Sequence, residues 1–164
     1  MNLILITLLL LVSLRKGDWK NWELYYPTML YVSLSSFVYE FISHSHFHLW
    51  ELQEDHLFNL MNVHFVHNLI INPLVAFLYL SNYPRSLFKK FYYTVIWIIM
   101  FGLIEWLGKW MEVITYHNDW SIGWSLFFLT IMFPMILLHH THKLVAIILS
   151  FIFATLYLLI FDYI

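Results

Sequence analysis

The chain has 164 residues, of which 62% are hydrophobic, 21% aromatic and only 11% charged, against about 25% charged in a typical soluble domain. Eight Lys and Arg with ten Asp and Glu cannot coat a soluble globule of this size, so the surplus apolar surface faces lipid. A count of 0 Cys excludes disulfides, thiolate metal sites, iron–sulfur ligation and covalent haem, and a net charge of -2 offers nucleic acid no electrostatic handle.

Each Asp, Glu, Lys or Arg at mid-membrane costs about 2.5–3.5 kcal/mol on insertion scales, so charge-free runs mark the spans. They are Met1 to Leu14, Leu24 to Tyr39, Leu57 to Pro84, Phe91 to Ile104, Trp120 to His142 and Leu144 to Phe161. A spanning helix needs about 20 residues. The second and fourth runs therefore extend past Glu40 and Glu105, through Phe41 to Phe47 and Trp106 to Tyr116, which places two carboxylates inside the membrane. The first run rises only about 21 Å and relies on Arg15 and Lys16 to snorkel. It lacks the basic leader and small-residue cleavage site of a signal peptide. The expectation is an all-α, polytopic transmembrane bundle of six spans forming one domain over 1–164, with five spans plus a shallow N-terminal helix as the alternative. Asp55 and Asp119 are placed to cap the third and fifth spans. Pro73 and Pro134 should kink the spans that hold them.

Seven of the eight basic residues fall in alternate loops: Arg15, Lys16 and Lys20, then Arg85, Lys89 and Lys90, then Lys143. The positive-inside rule makes those loops cytoplasmic and puts both termini outside a plasma membrane. Trp19, Trp22, Tyr25 and Tyr26 then form an inner aromatic belt, and Trp50, Trp110, Tyr116 and Trp120 an outer one.

The intramembrane polar residues form stripes. At 100° per residue, Ser33, Ser36, Glu40, Ser43 and His44 share one face of the second span. Gly102, Glu105, Lys109, Glu112 and Tyr116 share a face of the fourth, with Glu105 and Lys109 in the favourable i,i+4 order. On the third, His64, Asn68 and Asn72 follow at i, i+4 and i+8, with His67 beside them. Ser33 and Ser36 read as close-packing contacts, Lys109 as a neutraliser of Glu105 or Glu112, and Asn68 and Asn72 as partners for carbonyls freed by Pro73. Glu40 has no cation within a turn of its own helix, and an intramembrane acid marks a functional site by default. The candidate ion pocket is therefore Glu40, His64, His67, Asn68, Glu105, Lys109 and Glu112, opening outward.

A second constellation lies in the outer loop HSHFHLWELQEDH, where His44, His46, His48 and His56 accompany Glu51, Glu54 and Asp55. Four imidazoles without a competing base suit Zn²⁺ or another divalent metal, and a wet acidic loop is the competing reading. The HHTH of His139 to His142 ends the fifth span, where a helix C-terminus favours cationic His and headgroup contact. Haem is disfavoured, because it needs axial His at matched depth on two helices. The four dispersed Gly form no phosphate loop.

The short N-terminal apolar run ending in basic residues, the Pro73-bearing span with its aromatic flank, and Glu105 ahead of a turn at Trp120 together resemble an uncharacterised family of small polytopic membrane proteins from spore-forming Gram-positive bacteria. The resemblance covers most of the chain, implies a bacterial plasma membrane and assigns no functional residue. Three readings stay open. The first is a bundle that binds or conducts a cation, proton or metal, at the Glu/His/Lys/Asn pocket. The second is a non-catalytic interaction or assembly subunit, working as a homo-oligomer or in a larger membrane complex. The third is a membrane-embedded metalloenzyme using the outer histidines.

Overall fold

Each apolar run becomes a helical rod, because backbone groups that cannot reach water must bond within their own segment. The computed structural model describes residues 2–46, 49–52 and 60–162, with side chains for 6–42, 49–51 and 62–162. In chain order these hold α1 (Asn2–Lys16), α2 (Trp22–His46), β1 (Trp50–Leu52), α3 (Leu60–Val66), a π-helical segment (His67–Ile71), α4 (Asn72–Ser81), α5 (Leu87–Trp110), β2 (Ile114–Tyr116), α6 (Ile122–Thr141) and α7 (Lys143–Ile160). The described residues are 83% helical. Among the described residues, four helical stretches are long and apolar enough to cross a membrane: Asn62–Ser81, Leu87–Trp110, Ile122–Thr141 and Lys143–Ile160. At 15 residues, α1 rises about 22 Å. The 25 residues of α2 rise about 37 Å, but its Tyr, Ser and Glu side chains make it more polar.

The kink expected at Pro73 takes a specific form. A proline ring clashes with the carbonyl four residues back and lacks an N–H, and here the preceding turn widens, with Asn72 N–H bonding His67 O. The π segment thus joins α3 and α4 into one rod and leaves Pro73 in the first turn of α4, where its missing donor costs nothing. That rod is the centre of the bundle. Every residue from Pro73 to Leu80 is buried, and Val75, Ala76, Tyr79 and Leu80 pack with Leu129, Phe133 and Ile136 of α6. Tyr79 gathers the rings of Tyr83, Tyr93, Trp97 and Phe133. Its hydroxyl pairs with Thr94 Oγ1 at 2.9 Å, and Tyr93 donates to its carbonyl at 3.1 Å. By contrast α5 and α7 turn Leu87, Phe91, Ile96, Leu103, Leu144 and Phe151 outward.

The two ends of the bundle differ in chemistry. At one end the turn after α1 sits on the end of α4: Asp18 N–H bonds Ser81 Oγ at 3.2 Å and Asn82 Nδ2 donates to Lys16 O at 3.0 Å. Gly17 lies so close against Phe77 that a Cβ would clash. Tyr25 of α2 stacks on His140 of α6, so all three basic turns lie at this end. At the other end β1 and β2 pair antiparallel, Trp50 opposite Tyr116, Glu51 opposite Thr115 and Leu52 opposite Ile114.

The ribbon revises the sequence reading in two places. The fourth span was expected to run on to Tyr116, but α5 stops at Trp110 and Glu112 takes a left-handed φ of 58°. Ile114 to Tyr116 then run as a strand, because β-branched Ile114 and Thr115 with Tyr116 favour an extended pair over another helical turn. Asp119 does not cap α6. Asn118 and Asp119 have φ of 50° and 59°, a conformation these residue types tolerate, and Ser121 occupies the cap position.

Candidate functional site

Among the described residues three polar clusters sit between the helices, and α2 carries two of them. Along α2, residues four apart lie one above another, and the row Thr28, Val32, Ser36, Glu40 faces the α3–α4 rod and α6. At the ribbon end of this row Glu40 Oε1 stands 2.8 Å from His64 Nδ1 of α3, with side chains 23% and 21% exposed. The two atoms touch without an aligned hydrogen bond, and His64 Nδ1 is shut off from water. The contact is thus one of charge and proximity. His67, on the π segment, lies within electrostatic reach of both.

One turn further in, Asn68 is buried at 3% exposure. Its Oδ1 receives a long bond of 3.4 Å from Asn72 Nδ2, which also donates to Ser36 Oγ at 3.0 Å. Ser36 in turn donates to Val32 O at 3.0 Å. Asn68 Nδ2 has no partner among the described residues, an unusual state for a buried amide. The two asparagines were expected to serve carbonyls freed by Pro73. The π turn satisfies the backbone instead, which leaves the side chains facing Ser36 of α2. π-Helical turns recur at functional sites, and here one carries His67 and Asn68.

The second cluster ties α5, β2 and α6 together. Glu105 accepts from Tyr116 Oη at 2.7 Å and from Ser125 Oγ, and Trp120 Nε1 donates to Ser125 Oγ at 2.8 Å. Burial, and after it the bond and charge of Glu105, raises the Tyr116 phenol above its ordinary value, so it remains a donor. The expected neutralisation by Lys109 does not form. Lys109 Nζ lies instead 4.3 Å above the Tyr116 ring, whose face offers the cation a site, while both hydroxyls bond Oε1 of Glu105. Glu112 is exposed past the end of α5, off the expected stripe. The candidate pocket is therefore divided, with Glu40, His64, His67 and Asn68 in one part and Glu105 and Lys109 in another. The ribbon links them: Trp50, opposite Tyr116, stacks on Tyr39 at 5.3 Å.

The third cluster was not foreseen. His139 is buried at 4% exposure, its Nδ1 3.0 Å from Thr28 Oγ1, and its ring stacks on Tyr31 at 4.0 Å and 7°. Tyr31 Oη pairs with Ser150 Oγ of α7. Headgroup contact, expected for the HHTH segment, does not describe His139, which α2 covers. The available signal was the spacing of Thr28 four and eight residues before Val32 and Ser36, which continues the stripe of Glu40.

Among the described residues no three His, Cys, Asp or Glu converge on a metal-sized site. The outer metal candidates lie outside them: His48 and His56 altogether, His44 and His46 by their side chains. Comparison of the chain with family models, curated proteins and solved structures finds no match, so the functional reading rests on geometry.

Proposed function

We propose that this protein is a small integral membrane bundle of the bacterial plasma membrane that takes up and releases a proton at the Glu40–His64 pair. The observation that carries the reading is the 2.8 Å approach of a carboxylate and an imidazole from different helices, both partly open to solvent. A carboxylate and an imidazole at contact can share one proton and pass it between them. Two donors suit a proton better than a divalent metal, which takes four or more. Asn68, with an unused amide donor one turn further in, supplies a hydrogen-bonding group for the charged carboxylate or for a water beside it.

In this reading the bundle crosses six times. α2 joins the four apolar spans because it lies between the α3–α4 rod and α6, and α1 crosses with its Arg15 and Lys16 stems reaching the surface. The end that gathers the basic turns is cytoplasmic and the ribbon end, with Glu40, faces out, so both termini are external. The outward apolar faces of α5 and α7 meet lipid. A second reading, an assembly subunit, is favoured by Glu105, whose carboxylate is taken up by Tyr116 and Ser125 as an interhelical lock.

The test is infrared difference spectroscopy across pH on protein in lipid nanodiscs. A protonated-carboxyl band that titrates in wild type and is absent in Glu40→Gln, with its midpoint moved in His64→Gln, supports the reading. A band set identical in wild type and Glu40→Gln overturns it.

A further inference from the structure

The Glu40–His64 pair is one end of a longer polar seam. From it the sequence of groups runs through Asn68, Asn72 and Ser36 to Val32 O, past buried Ser33, to Tyr31, Thr28 and His139. The α2 row from Thr28 to Glu40 spans about 18 Å of helix axis, more than half the thickness of a bilayer core. Both ends carry a protonatable side chain; the amides and hydroxyl of Asn68, Asn72 and Ser36 reach as far as Val32 O, and the Val32 side chain, packed against the core, leaves a gap of one helical turn before Thr28 and His139 that a water must bridge. Helix packing alone would not require an unpartnered amide at Asn68 in the middle of such a row.

We infer that this seam is a proton path through the bundle, with His139 as the residue that exchanges the proton at the end opposite Glu40. The inference rests on the outer-site reading above. A proton enters at Glu40–His64, passes along waters held by Asn68, Asn72 and Ser36, and is taken by a ring nitrogen of His139. It leaves on the side of the basic turns. No bond other than those to the proton changes, and the pH difference drives the transfer. The charged and titratable groups around His139 are His140 on its own helix and Lys143 on α7, with Tyr31 of α2 stacked against it.

The experiment is proton flux into liposomes carrying the purified full-length protein and an internal pH dye, driven by an imposed pH difference with valinomycin and potassium to collapse the potential. Wild type should acidify the lumen at least tenfold faster than protein-free liposomes. His139→Gln, which keeps a hydrogen-bonding group for Thr28, and Asn72→Leu, which interrupts the middle of the seam, should each reduce the flux at least tenfold. Circular dichroism checks that both stay helical. Wild-type flux in either folded variant overturns the path, as does wild-type protein no faster than protein-free liposomes. If neither variant folds, the milder His139→Asn and Asn72→Ala take their place under the same criteria. Failure here with a titrating Glu40 band retained leaves the outer site standing without a path; loss of both removes the outer site as well.

Discussion

Replacing Glu105 by Ala tests whether this acid is a lock between α5, β2 and α6. The substitution strips the acceptor from Tyr116 Oη and Ser125 Oγ. Ser125 is buried, and its hydroxyl also receives Trp120 Nε1. Hydrogen bonds inside membrane proteins average about 0.6 kcal/mol and reach about 1.7, and a charged acceptor places these two toward the upper end. Two bonds then give a loss of about 2–3 kcal/mol. Glu105→Gln keeps an oxygen acceptor and should lose about 1 kcal/mol. Lys109→Ala removes the contact with the Tyr116 ring, about 0.5–1 kcal/mol; a Glu105–Lys109 ion pair would instead make the two alanine variants comparably damaging. The assay is reversible unfolding in mixed micelles, with Asp162→Ala, on the turn after α7, as the reference. A cycle with Tyr116→Phe isolates one bond, and a coupling of about 1 kcal/mol is expected. Equal stability of Glu105→Ala and Asp162→Ala, or a coupling of zero, would refute the lock.

Asn68→Leu removes a buried amide whose Nδ2 is unpartnered, so the variant should unfold no earlier than wild type while its proton flux falls; a clear loss of stability with flux intact would mean the amide is structural. For topology, Ser86→Cys and His117→Cys sit at the basic and ribbon ends, both exposed in this Cys-free chain. A membrane-impermeant maleimide added to intact cells should label only the second, and labelling of the first from outside would invert the orientation.

The hydrophobic pattern alone determined the helical rods, because long charge-free runs in lipid have almost no alternative to helix. Charge placement alone determined that three turns are basic, and the structure gathers them at one end through Asp18–Ser81, Lys16–Asn82 and Tyr25–His140 contacts. Helical periodicity placed Glu40 and His64 each on a polar stripe, since spacing fixes which residues share a face. It could not decide which face of one helix meets which face of another. That depended on packing: Tyr79 and Phe133 set the α4–α6 contact, and the π turn at His67–Ile71 set the facing of the rod. So Glu105, expected beside Lys109 because they are four apart, is held by Tyr116 and Ser125, which lie eleven and twenty residues away. His139, expected at the headgroups because it ends a helix, is enclosed by Thr28 and Tyr31 of a helix more than a hundred residues earlier. Local chemistry is written in the spacing of residues along one helix. Partners across helices depend on how side chains of different size fill the space between rods, and that follows only from the whole bundle.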